Sequence, residues 1–122
     1  YGHLTLSDVE QVCRSAAALH GLTVDARQSN HEGVLIDWVQ EGRRGSAGIV
    51  INAGGYTHTS VALRDAISAC HVPVVEVHIS DIHAREAFRH HSYLTEVCSH
   101  AVIGQGVAGY AAAIDWIAAQ RA

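Results

Sequence analysis

The sequence contains no methionine and no lysine; all eight of its basic residues are arginine. Without lysine, no mechanism that runs through an amine Schiff base is open to this chain. Without methionine, the leading residue Tyr1 is not an initiator, and further residues are expected to precede it in the protein. No apolar run approaches the ~18 residues of a membrane helix; the longest, around residues 111–114, is interrupted by Asp115. No secretory signal opens the chain. The three cysteines, Cys13, Cys70 and Cys98, are odd in number and lack CxxC spacing. They point to reduced thiols and a cytoplasmic location. Ten histidines are present, but neither His78 with His83 nor His90 with His91 has zinc-site spacing, and HAREAFRHH lacks the HExxH pattern, so no metal is expected. A formal net charge of −4 argues against a broad nucleic-acid footprint.

What is present fits one domain: 122 residues, 48 % of them apolar, with no repeat and no low-complexity linker. Ser7 and Glu10 have capping-box spacing, and Val9, Val12, Cys13, Ala16 and Leu19 recur at helical spacing up to a stop at Gly21. Residues 23–28 read as a short strand. Residues 31–44 read as a helix with Val34, Leu35, Trp38 and Val39 on its buried face. The apolar runs 47–52 (AGIVIN) and 73–79 (PVVEVHI) read as strands buried on both faces. A glycine-bearing loop at 53–58 and a helix at 59–70 separate them. Residues 80–93 are polar, with a short helix expected at 84–88. A last strand at 101–104 and an Ala-rich helix at 106–121 close the chain. Alternating strands and helices imply crossover connections and a parallel sheet. The expected fold is therefore α/β, a flavodoxin-like doubly wound sheet of order 2-1-3-4-5 with its first strand missing from this sequence.

In such a sheet, ligands bind beyond the carboxyl ends of the strands, and three polar segments fall there. Asn52 ends one strand and could hold a hydroxyl or a water through both ends of its amide; alone, it also reads as a strand-end cap. His58, just before a helix start, could bind a substrate or cap the loop. Glu76 and His78 are two apart in a strand and so share a face. The carboxylate can fix the imidazole's tautomer and favour its charged form, which suits a general acid; a purely structural pair would look the same. The backbone N–H groups of Ile79 and Ser80 could receive a carboxylate. Arg85 and Arg89, four apart, would share one face of a helical turn and could clamp a polar or anionic ligand, or form a solvated basic face or an intersubunit salt bridge.

Several of these segments, in order, resemble the type II 3-dehydroquinate dehydratases. They are RQSNHEG (27–33), LIDWVQE (35–41), INAGGYTHTSVALRDA (51–66), PVVEVHISDIHAREAFRHHSY (73–93) and GQGVAGY (104–110). The resemblance covers nearly the whole chain. It implies anti elimination of water from 3-dehydroquinate to give 3-dehydroshikimate, without metal or cofactor, in the shikimate route to aromatic amino acids or in quinate breakdown. It implies a homo-oligomer, a dodecamer built from trimers, with no nucleic-acid or membrane partner. By motif, His78 resembles the acid that protonates the leaving hydroxyl, Glu76 its partner, and Asn52 the residue holding that hydroxyl and His78 in register. His58 and Arg89 would bind ring hydroxyls, Ile79 and Ser80 the substrate carboxylate, and Asp65 would reach toward a neighbouring subunit's site. Arg85 belongs to the site's surroundings.

Tyr1-Gly2 before Leu4-Thr5-Leu6-Ser7 resembles the family's mobile lid, which makes Tyr1 the expected base. A tyrosine near neutrality needs its pKa of ~10 lowered, as a nearby Arg⁺ does, and the family's lid arginine would precede Tyr1. One catalytic domain spanning 1–122 is expected, lacking the first strand with its Asn-Gly-Pro-Asn loop and most of the lid. About twenty residues would supply both, given strands of ~5–6 residues. Asp81 departs from the asparagine the family often has. Two other classes compete. A binding-only relative on the same fold is disfavoured by the full set Asn52, His58, Glu76, His78 and Arg89. A nucleotide or phospho-signalling domain has no support in these motifs, and a type I dehydratase is excluded by the absence of lysine.

Overall fold

The computed structural model describes residues 4–121, and Tyr1 lies outside them. Helix α1 (Leu6–Ala18) begins at Thr5. The Thr5 hydroxyl accepts from the Asp8 N–H at 3.2 Å and Asp8 accepts from the Thr5 N–H at 2.9 Å. The capping box is thus two residues earlier than the Ser7–Glu10 pair suggested; Glu10 instead bonds Arg14 one turn along. After α1 the chain passes through α2 (Glu32–Gly42), β1 (Ile49–Ile51), a 3-10 turn at Gly54–His58, and α3 (Val61–Ser68). It continues through β2 (Val74–His78), two 3-10 turns at Ile82–Ala84 and Ala87–Arg89, β3 (His100–Ile103) and α4 (Ala108–Gln120). No helix among the described residues is long and apolar enough to cross a membrane.

The three strands form one parallel sheet in the order β1-β2-β3. Ile51 lies opposite Glu76, and His78 opposite Ile103. The expected strand at 23–28 joins no ladder among the described residues. Strand pairing is a long-range property: residues 23–28 (TVDARQ) are mostly polar, and without a hydrogen-bonded neighbour such a segment is not a strand. It is held by side chains instead: Leu22 and Val24 pack into the cluster around Cys13, Ala17 and Ile114, and Arg27 pairs with Asp25 and Glu41.

Helices cover both faces of the sheet. The period of two along β2 sends Val75 and Val77 to one face, where they meet Ala113 and Ile117 of α4. It sends Val74 to the other, with Val39 of α2, Leu63 and Ile67 of α3, and Leu94. Gly48 permits the close approach of α4: a Cβ there would lie 2.8 Å from Ile117 and 3.0 Å from the Pro73 carbonyl. All five residues of β2 are buried. Glu76 and His78 therefore fall on the α2/α3 face, inside the protein, at the carboxyl end of the central described strand.

Candidate active site

Glu76 is fully buried. An ionised group there needs donors for both oxygens, and it has them. One oxygen accepts from the Ser92 hydroxyl at 2.5 Å and faces the His78 Nε2 at 2.6 Å; the other accepts from the Thr95 hydroxyl at 2.6 Å. Burial pushes the carboxyl's pKa up, but the donors from His78, Ser92 and Thr95 together outweigh it and hold the pKa below the ordinary value. A carboxylate only accepts, so the contact makes His78 Nε2 a donor. Its Nδ1 remains as the ring's other functional atom.

Asn52 follows β1 and is exposed. Both ends of its amide have partners from the protein: Nδ2 donates to the Tyr110 hydroxyl at 2.9 Å and Oδ1 accepts from the Gly54 N–H at 3.1 Å. His58 ends the 3-10 turn, and its Nδ1 lies 2.8 Å from the His91 carbonyl. A carbonyl only accepts, so Nδ1 carries the proton and Nε2 is the face His58 can offer a ligand. Beyond β2, the Gly104 N–H donates to the His78 carbonyl and the Gly106 N–H to the Ile79 carbonyl, both at 3.0 Å. Gly104 has φ 77° and a Cβ there would meet Asp81 at 3.2 Å, so glycine lets this turn lie against the strand end.

The arginines depart from expectation. The helix at 84–88 is replaced by two separate 3-10 turns, with Arg85 closing the first and Arg89 ending the second. Arg85 and Glu86 between them are extended, so the two arginines do not share a helical face. They converge on Glu86 instead, Arg89 at 3.2 Å and Arg85 at 3.8 Å. Glu86 has a lowered pKa, owing to its own backbone N–H first and then to the arginines. Arg85 also donates to the Ser80 hydroxyl at 3.4 Å, and Arg89 lies over the Phe88 ring. Asp65 is exposed on α3, and among the described residues no side-chain hydrogen bond or ion pair links it to the other named groups.

Ser92, Thr95, His91 and Tyr110 escape a reading from local spacing. The one signal that could have found the two hydroxyls is the rule that a carboxylate inside a buried strand must have donors. Among the described residues no group of three or more His, Cys, Asp or Glu side chains could hold a metal ion. Burial, then the Glu76 charge, pushes the Cys98 thiol up to about 12, which disfavours the reactive thiolate near neutrality. An apolar groove between α1 and α4, lined by Val12, Ala16, Leu19 and Ala111 among others, contains none of these groups.

A strand-end imidazole backed by a buried carboxylate has the chemistry of a proton-transfer group. Comparison with known proteins narrows the choice. The profile of the family described as Dehydroquinase class II matches residues 1–118. The chain is 60 % identical over 122 residues to a 3-dehydroquinate dehydratase of Methylobacterium radiotolerans, covering 100 % of this chain and 82 % of that one. It is 58 % identical over 120 residues to one of Streptomyces avermitilis, covering 98 % and 76 %. A solved type II dehydroquinase from Butyrivibrio crossotus superposes with a TM-score of 0.92 at 42 % identity, covering 96 % of this chain and 82 % of that one. The three described strands with helices on both faces are thus part of the flavodoxin-like sheet that the sequence implied, and the chain belongs to the class II dehydroquinase family.

Proposed function

We propose that this site converts 3-dehydroquinate to 3-dehydroshikimate by anti elimination of water through an enolate, with His78 as general acid and Tyr1 as base. The dehydratase class, a hydro-lyase, rests on family membership; the assignment of steps to residues is our reading. The base takes a proton from the carbon next to the ketone, and the electron pair enters the carbonyl as an enolate. As the enolate reforms the ketone, the carbon–carbon double bond forms and the carbon–oxygen bond at the β position breaks. The departing hydroxyl takes the proton on His78 Nδ1 and leaves as water, and the proton on the base returns to solvent. His78 is then reprotonated for the next turnover.

The observation that carries this reading is the buried contact of 2.6 Å between His78 and Glu76 at the end of β2. Glu76 turns one ring nitrogen inward, supplies the counter-ion to an imidazolium, and leaves the other nitrogen for the substrate. Asn52 sits at the neighbouring strand end, where its amide can hold the leaving hydroxyl. His58 Nε2 and Arg89 are suited to ring hydroxyls. The N–H groups of Ile79 and Ser80 are suited to the carboxylate. Asp65, exposed on α3, is placed in this reading against a neighbouring subunit of a trimer, four of which would make a dodecamer. Arg85 steadies Ser80.

The test adds 3-dehydroquinate to the purified protein and follows the ultraviolet absorbance of the conjugated enone. Steady growth is expected, with kcat falling about 10²–10⁴-fold in His78→Ala. Wild-type protein that is folded and leaves the substrate unchanged would overturn the reading.

A further inference from the structure

We infer that residues 91–95, which take no part in the reaction above, are the positioning element of the site: Ser92 and Thr95 fix the Glu76 carboxylate and through it the His78 ring, while the His91 carbonyl sets the ring of His58. The inference rests on the reading of His78 as the acid.

A hydroxyl has one proton to give and two lone pairs to offer. The Ser92 hydroxyl accepts from the Leu94 N–H at 3.0 Å and from the Thr95 N–H at 3.3 Å. Its lone pairs are thereby committed to its own turn, and its proton is directed to Glu76 at 2.5 Å. The Thr95 hydroxyl donates to the other carboxylate oxygen at 2.6 Å. With both oxygens engaged, the carboxylate plane is fixed and so is the oxygen that meets His78 Nε2. Both hydroxyl protons go to Glu76.

The segment that delivers them is itself secured. The Tyr93 N–H donates to the Thr57 carbonyl at 2.9 Å. Arg64 of α3 donates to the Tyr93 carbonyl at 2.9 Å and pairs with Glu96 at 3.3 Å. Leu94 is fully buried in the core with Leu63 and Ile67. The residue before Ser92 supplies the carbonyl that takes the His58 Nδ1 proton at 2.8 Å. Five consecutive residues thus decide the proton placement of one histidine and the orientation of another. Among the described residues, the titratable groups set against Glu76 are His78 on its own strand and Cys98, which follows Thr95 by three residues.

The test compares Thr95→Val, which keeps the side-chain shape without the hydroxyl, with Thr95→Ser, which keeps the hydroxyl. Ser92→Ala is the harsher companion. Thr95 is exposed apart from its hydroxyl, so the valine variant should fold, which a melting curve checks. In the intact protein, turning over 3-dehydroquinate, Thr95→Val is expected to lower kcat about tenfold. KM should stay within about twofold, since no substrate contact is lost. Losing a donor raises the carboxyl's pKa, so the acid limb of the kcat/KM profile should move to higher pH. Thr95→Ser should restore both. An active wild type whose Thr95→Val and Ser92→Ala variants keep kcat and the acid limb would overturn the positioning role and leave the function intact. So would a kcat loss with an unmoved acid limb and no rescue by serine. An inactive wild type would strike the proposed function instead.

Discussion

Glu76→Gln isolates the charge at the centre of the site while keeping the side chain's size. The amide oxygen can take the place of the carboxylate oxygen that meets Ser92 and His78. The amide nitrogen must then face the Thr95 hydroxyl, donor against donor, until that hydroxyl turns away. Three charge-assisted hydrogen bonds become two neutral ones and one reversed contact. Hydrogen bonds to charged groups contribute about 1.5–3 kcal/mol and neutral ones about 0.5–1.5 kcal/mol, partly offset because the amide is easier to bury. A net loss of about 1–3 kcal/mol at pH 7 follows, read as a lower urea midpoint.

The pH dependence is the sharper check. The pKa of Glu76 is depressed in the folded protein. Its contribution is therefore complete above the unfolded value of about 4.3 and is lost as pH falls through the lower, folded value. The stability gap between wild type and Glu76→Gln should be widest near neutrality and close as the pH drops below about 4. Asp25, Glu41 and Glu86 also have lowered pKa values and titrate in the same window. They are present in both proteins and cancel in the difference. A gap that stays constant from pH 7 to pH 3, or a variant more stable than wild type at pH 7, would refute the view of Glu76 as a charge held ionised by its donors.

Asn52→Ala removes the bonds to Tyr110 and Gly54; a drop in kcat larger than the rise in KM for 3-dehydroquinate is expected, measured by steady-state kinetics. Leu63→Ala, at a fully buried core position, should lower stability by about 2–5 kcal/mol in urea unfolding. Cys98, with its thiol pushed up to about 12, should resist iodoacetamide at pH 8 in the native protein and react once unfolded, as mass spectrometry of the alkylated peptide would show.

The sheet strands β1, β2 and β3 were legible because each carries a run of β-branched or other apolar residues, and such runs need no partner to be noticed. The segment at 23–28 reads as a strand but has no ladder, since pairing depends on what lies beside a segment rather than within it. The start of α1 was placed late because Thr5–Asp8 and Ser7–Glu10 have the same spacing, and only geometry chooses between them. The start of α3 was placed early: the 3-10 turn at Gly54–His58 runs up to Thr59, and the Ser60 hydroxyl, accepting from the Leu63 N–H, sets the first turn. Arg85 and Arg89 look helical by spacing, but the extended backbone at Arg85 and Glu86 divides them. At the site, Glu76 and His78 were legible as a pair because a strand's period of two is invariant. Their supporting hydroxyls come from 16 and 19 residues further along, and Tyr110 lies 58 residues from Asn52, distances over which no local pattern speaks.

The partners of the site residues divide them into two kinds. Glu76 and His78 are buried and bonded to each other, and His58 is tied to a main-chain carbonyl. Removing any of these contacts would strand a buried or half-buried polar group, so the arrangement must already be in place before a ligand arrives. Arg85 and Arg89 are held near the surface by ion pairs to Glu86, which water and salt weaken. Such contacts can be exchanged for contacts to a ligand at little loss. His78, the proton donor of this reading, is therefore set rigidly by the fold, and Arg89, read as gripping a ring hydroxyl, is left free to exchange partners. A dehydratase needs this division, because proton transfer depends on placement to within a fraction of an ångström, whereas binding must be reversible on every turnover.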